Sequence, residues 1–272
     1  MRYRAKRMTP ILFNTLVFIS LSVWPAEALS PEEILASYPP MKISQDSDHS
    51  LKLQGGINKG DAVQIMRNIS SSIKTLNVSL TGGNSEEAMT IGKLIKRFGL
   101  EVRVVGLCAS ACAQYLLPAA SKAIVEPDGL VLFHHYPAGL FAIAQMKGSI
   151  PEPRELELWE KDRTYNASLG INPDIFLRAH LELGTICISQ VGDIKKTLIY
   201  YKSINAGWLP KKEYLTKVGI NLFGAWPDTL DQFAQLVKKF RNGPEPAVGF
   251  SSVPDILPKD STDQAIEKIT RC

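Results

Sequence analysis

After its first two dozen residues this chain has no long apolar run. Ile11–Val23 is the one such stretch, broken by Asn14, Thr15, Ser20 and Ser22. It is too short for a comfortable membrane span, and no later segment is long and apolar enough to cross a bilayer. A Lys/Arg cluster interleaved with aromatic residues is also missing, which argues against nucleic acid as a partner. A net excess of one charge is missing too. The whole chain carries +4, but residues 1–28 hold Arg2, Arg4, Lys6 and Arg7 against Glu27, so removing that +3 leaves about +1. No CxxC or HxxxH follows Cys108 and Cys112 to complete a zinc site, so no metal is expected. Internal repeats are absent.

The N-terminal features make one pattern. A basic n-region, an apolar core and the Ala26-Glu27-Ala28 word read as a secretory signal peptide over 1–28. An uncleaved N-terminal anchor is the alternative. Export implies a periplasmic or secreted protein. All four cysteines, Cys108, Cys112, Cys187 and Cys272, follow the cleavage site. In an oxidising compartment an even count permits disulfides, and four cysteines allow three connectivities. Free cysteines packed as small apolar groups are the other reading. From Leu29 onward the chain is long enough for one well-buried domain. Residues 29–50 read as an irregular lead-in with a short helix near Pro31–Tyr38. Residues 51–242 form the domain, and 243–272 a Pro-, Ser- and Asp-rich, loosely ordered tail.

Within the domain, strand and helix patterns alternate. Leu51–Gln54 alternates like a strand, and Asp61 is placed to cap a helix over 62–73. Leu76–Leu80 is the next strand and ends in Thr81-Gly82-Gly83. Ser85-Glu86-Glu87 opens a helix that stops at Phe98-Gly99, and Glu101–Leu107 is a third strand. Leu130–Phe133 is a further strand after the turn Pro127-Asp128-Gly129. Helices follow over 151–169, 175–183 and 211–218, with Leu198–Tyr201 as another strand. Short Gly-marked connections between alternating elements predict an α/β fold with a mostly parallel sheet and flanking helices.

Chemistry concentrates at three consecutive strand ends. Gly82-Gly83 closes one, Ser110 follows the next inside Cys108-Ala109-Ser110-Ala111-Cys112, and His134-His135-Tyr136-Pro137 follows the third. In a parallel sheet these ends share the edge where α/β ligands bind. Ser110 precedes the helix-like run Ala113–Leu117, where backbone N–H groups favour developing negative charge. The same position suits an ordinary N-cap. A serine, an imidazole and a backbone oxyanion site are what acyl transfer requires.

Four words carry a resemblance: Leu53-Gln54-Gly55-Gly56-Ile57, Val78-Ser79-Leu80-Thr81-Gly82-Gly83, Cys108–Cys112 and Phe133–Pro137. A weaker fifth is Leu209–Tyr214 with Val218-Gly219-Ile220. Over roughly Leu51 to Ile220 the chain resembles the Clp protease subunit and the wider Clp/crotonase-like fold, a spiral of (ββα)-type units. Its exported Clp-like bacterial members look most similar. The resemblance implies Ser110 as nucleophile, His135 as general base, and the Gly83 and Ala111 N–H groups as oxyanion hole. Strand alternation lets only one of His134 and His135 face the serine. His135, which stands one residue before x-Pro as the family histidine does, is the expected one.

Two departures stand out. The glycine loop lacks the family's proline, and no acid is evident before the 211–218 helix, where Asn205 stands. Asn205 can orient an imidazole but cannot stabilise its charged form. Glu155, Glu157 and Asp162 are other candidates for the third member, and Lys122 or Lys202 for a Ser–Lys dyad. A Cys108–Cys112 bond, or one from either to Cys187, would brace the serine turn. The expectation is thus an exported serine hydrolase, a peptidase without cofactor, taking peptide or unfolded-protein substrates and self-associating. A binding or scaffold protein with a decayed site is the alternative. Acyl-CoA chemistry is a third reading, disfavoured by export.

Overall fold

The computed structural model describes residues 39–148, 153–191, 198–203, 207–239, 248–250, 264 and 267–271. The expected mixed α/β architecture, a mostly parallel sheet with flanking helices, is observed. Strands β1 (Lys42–Ser47) and β2 (Ser50–Ile57) form an antiparallel hairpin. Helix α1 (Asp61–Asn68), β3 (Thr75–Gly83), α2 (Ser85–Phe98) and β4 (Glu101–Ala109) follow. The main sheet runs β1-β2-β3-β4-β5-β10, with β5 (Lys122–Val125) and β10 (Leu222–Gly224) parallel to their neighbours.

Strand β4 changes partner along its length. Its first half pairs with β5 through Glu101↔Lys122 to Val104↔Val125. Its last three residues pair instead with β6 (Leu130–Leu132), from Leu107↔Leu130 to Ala109↔Leu132. This split brings the C-terminal ends of β3, β4 and β6 side by side. Helices α3 (Pro137–Met146), α4 (Pro153–Ser168) and α5 (Asp174–Glu182) come next in the chain, and α3 packs on both of the others. Next are β7 (Thr185–Val191), β8 (Leu198–Ser203), β9 (Gly207–Leu209) and α6 (Lys212–Lys217). Beyond β10 lie α7 (Leu230–Lys239), β11 (Val248–Phe250), which pairs with β9, and β12 (Thr270–Arg271), which pairs with β7.

The core is aliphatic and continuous. Leu53, Leu76, Val78, Leu80, Val102 and Val104 are fully buried, each contributing about 1.5–3 kcal/mol relative to exposure. Helix α2 covers them with Ala88, Ile91 and Ile95. Its start is well specified. The Asn84 side chain accepts from the Glu87 N–H at 2.9 Å, and Glu86 and Glu87 complement the dipole. The Glu87 carboxylate also accepts from the Ala62 N–H at 2.7 Å, tying α1 to α2.

Several elements depart from the sequence-based expectation. Part of the irregular lead-in is strand β1. Its residues are mostly exposed on the sheet edge, so no apolar alternation announces it. Helix α1 is shorter than expected because Ile69 turns extended. Gly60, not Asp61, is its N-cap, while the Asp61 carboxylate accepts from the Asn58 N–H at 2.7 Å. Residues 31–38 and most of the 243–272 tail lie outside the described residues. So does the 1–28 segment.

Candidate active site

The tight turn after β4 sets the geometry. Ser110 has φ 57°, the one positive φ among the described non-glycine residues. A left-handed serine costs of order 1–3 kcal/mol and persists only where its surroundings hold it. Three contacts do so. The Ser110 N–H donates to the Leu132 carbonyl at 3.0 Å, extending the β4–β6 pairing. Its carbonyl accepts from the Gln114 N–H at 3.0 Å. A disulfide joins Cys108 to Cys112 across the turn, with Cα atoms 5.3 Å apart and both residues fully buried. The helix expected after Ser110 is a wide π-helical turn over Cys112–Leu116, a form common at functional sites.

Gly82 and Gly83 approach this turn from β3. Both have positive φ, at 98° and 134°. A Cβ on Gly82 would lie 2.4 Å from the Ser110 Cβ and 2.8 Å from its Oγ. A Cβ on Gly83 would lie 2.2 Å from the Ile57 carbonyl. Only glycine fits either place, for space and for backbone conformation alike.

His134 Nε2 lies 2.5 Å from Ser110 Oγ, and both residues are partly exposed. The resemblance implied His135 here, but the structure brings His134 to Ser110 instead. Alternation holds, since Leu132 and His134 face one way and Phe133 and His135 the other. Its phase is set by Phe133, fully buried beside Trp208 and paired to it through backbone bonds of 3.1 and 2.7 Å. His135 therefore points inward. Its Nε2 meets Thr185 Oγ1 at 3.1 Å, and its ring lies against His180 with centroids 4.4 Å apart.

No described residue stands behind the serine-facing ring. His134 Nδ1 is buried without a hydrogen-bond partner among the described residues. Burial lowers the His134 pKa to about 4, with the His135 backbone acting in the opposite sense. The ring is neutral at pH 7. With its proton on Nδ1, Nε2 is free to accept from the serine hydroxyl.

The alternative partners lie elsewhere. Asp162 is fully buried and accepts from the Ala138 N–H at 3.0 Å and the Asn166 amide at 2.8 Å, at the start of α3. Burial pushes its carboxyl up to about 6. Glu157 pairs with Lys161 on the surface of α4, and Glu155 lies in the first turn of that same helix. Lys122 lies over the Phe223 ring on the far side of β5. Asn205 and Cys272 lie outside the described residues, as do the side chains of Lys202 and Cys187. Cys187 itself is in β7, opposite Thr270. Among the described residues no cluster of His, Cys, Asp or Glu could hold a metal ion, and no helix is long and apolar enough to cross a membrane.

Comparison with known proteins finds no matching family model and no matching curated protein. Solved structures show a likeness at low identity. One is ClpP1 from Listeria monocytogenes, at 16% identity and TM-score 0.36, covering 68% of this chain and 95% of that one. Another is the membrane-bound stomatin-specific protease 1510-N with a substrate peptide, at 13% and 0.34, covering 80% and 94%. A third is enoyl-CoA hydratase from Bacillus anthracis, at 11% and 0.29, covering 45% of this chain. The match spans 63% of that enzyme, a little under two thirds of its length.

Sequence reasoning missed two features of this site. Gln114 is buried and donates from Nε2 to the carbonyls of His134 and His135 at 3.1 and 2.9 Å. Its signal was present, as the single polar residue inside Ala113–Leu117. Thr185 and His180, the polar pair that holds His135, carry no local signal, because their meeting depends on how β7 and α5 pack.

Proposed function

We propose that this protein is an exported serine hydrolase of Clp-like type, acting on peptides through an acyl-enzyme. The contact between Ser110 Oγ and His134 Nε2 on a left-handed turn carries the reading. Ser110 attacks the carbonyl, His134 takes its proton and returns it to the leaving group, and the N–H groups of Gly83 and Ala111 hold the oxyanion. His134 replaces His135 as base. Asn205 is retained as a candidate orienting group. The four sequence words and the glycine pair against the serine support this assignment. The basic, apolar leader supports export, and the Cys108–Cys112 bond agrees with an oxidising compartment. By resemblance the protein self-associates, needs no cofactor and accepts short or unfolded chains.

The test is labelling of the purified, folded protein with a fluorophosphonate probe. Wild type is labelled on Ser110 and Ser110→Ala is not. Absence of labelling in folded wild type overturns the reading. A second reading, a binding or scaffold protein on the same fold, draws on the unpartnered His134 Nδ1, since a serine–imidazole pair without a carboxylate loses stabilisation of the charged ring. Tight, non-hydrolysed peptide binding with no labelling favours it.

A further inference from the structure

We infer that Gln114 is the positioning residue of the serine–histidine pair, supplying from the carbonyl side the orientation that a third triad member supplies from behind the ring. This rests on the hydrolase reading. Gln114 is bonded to both partners at once. Its backbone N–H donates to the Ser110 carbonyl at 3.0 Å, and its side-chain Nε2 donates to the His134 carbonyl at 3.1 Å and the His135 carbonyl at 2.9 Å. One amide therefore spans the gap between the serine turn and the segment that follows β6.

Burial makes the clamp count. Gln114 is 1% exposed, so water does not compete for its amide hydrogens. An amide left unsatisfied there is costly, which holds the two carbonyls to it. His134 needs such support because its Nδ1 has no partner among the described residues. Fixing the His134 carbonyl fixes the peptide plane that follows His134, while the Trp208 N–H, donating to the Phe133 carbonyl at 2.7 Å, holds the plane before it; together they set the direction of the Cα–Cβ bond. The ring then reaches Ser110 through χ1 and χ2 alone. The wide turn over Cys112–Leu116 sets Gln114 facing the histidine segment rather than the apolar core around it. The clamp gives orientation without charge. It does not stabilise an imidazolium, which agrees with the low His134 pKa.

Two variants test this. Gln114→Met keeps the length and removes both donors. Gln114→Glu keeps the shape and can donate only while its carboxyl is protonated, a form that burial favours. Rates of fluorophosphonate labelling and the ¹⁵N and ¹H signals of the His134 ring are read from pH 5 to 8, with urea unfolding alongside. Gln114→Met is expected to lower the labelling rate about 10- to 100-fold, the scale set by misplacing a reacting group by about 1 Å, while remaining folded. Gln114→Glu is expected to approach wild type at the acid end and fall away as pH rises. A packing role alone would not reproduce that profile in protein shown to be folded. Labelling within twofold of wild type in both folded variants, with unchanged His134 signals, overturns the inference. If wild type is itself unlabelled, the hydrolase reading fails. The ring signals still decide the positioning, since they need no turnover.

Discussion

Acidification from pH 7 to pH 5 is expected to remove about 4–5 kcal/mol of folding stability. The cause is three imidazoles: His134, held down to about 4 by burial, and the inward pair beneath it. His180 is fully buried and burial holds its pKa down to about 3, with His134 adding a smaller lowering. His135 is buried too and is pushed far down by burial, then by the facing His180 and His134. All three stay largely neutral in the fold while their unfolded counterparts, near 6.5, take up protons. A lowered pKa contributes stability that is present above the unfolded value and lost as pH falls below it. Over this interval each of the three rings costs about 2 kcal/mol, or about 6 together. Asp162 acts the other way. Burial raises it to about 6, so the folded form gains a proton first and recovers about 1 kcal/mol by pH 5. Asp61 and Asp174 are also raised by burial and act in the same sense as Asp162. Urea unfolding at the two pH values measures the difference. His180→Asn should shrink it by about 2 kcal/mol, with any packing cost cancelling between the two conditions. Equal wild-type stability at pH 7 and pH 5, or an unchanged difference in His180→Asn, refutes the reasoning.

The same chemistry predicts that labelling of Ser110 stays nearly flat from pH 8 to pH 5 and declines towards pH 4, as His134 gains its proton; a limb centred near 6.5 would show a solvated ring instead. His134→Ala is expected to lower the labelling rate by roughly 10²–10⁴, whereas His135→Ala should act mainly through stability, and the reverse order in folded variants would return the base role to His135. Gly82→Ala places a methyl 2.4 Å from the Ser110 Cβ on a backbone at φ 98°, so labelling should be lost together with stability, measured by probe and by urea midpoint. Replacing both Cys108 and Cys112 by alanine opens a short loop whose closure is worth about 2 kcal/mol in the chain-entropy account. Mass mapping of a non-reduced digest checks the bond beforehand, and finding both thiols free would remove it.

Local signals in the sequence accounted for the strand ends that make the site. Gly82-Gly83, Ser110 and the histidine pair each follow an apolar strand pattern, and parallel pairing puts such ends on one edge. Alternation also required that only one histidine face the serine. Which one could not be read locally. Both phases of His134-His135 satisfy the pattern, and the choice fell to Phe133, which Trp208 buries from 75 residues further along the chain. The partners of β4 were equally hidden, because β5 and β6 share one strand and neither pairing leaves a mark on it. Strand β1 is exposed and carried no period. The sequence by itself determined the order of elements and the residues able to do chemistry, since period, turn glycines and residue type are local properties. Tertiary structure alone decided which imidazole meets Ser110, that Gln114 spans the pair, and that His135 is held by Thr185 and His180, because each depends on contacts between segments distant in the chain.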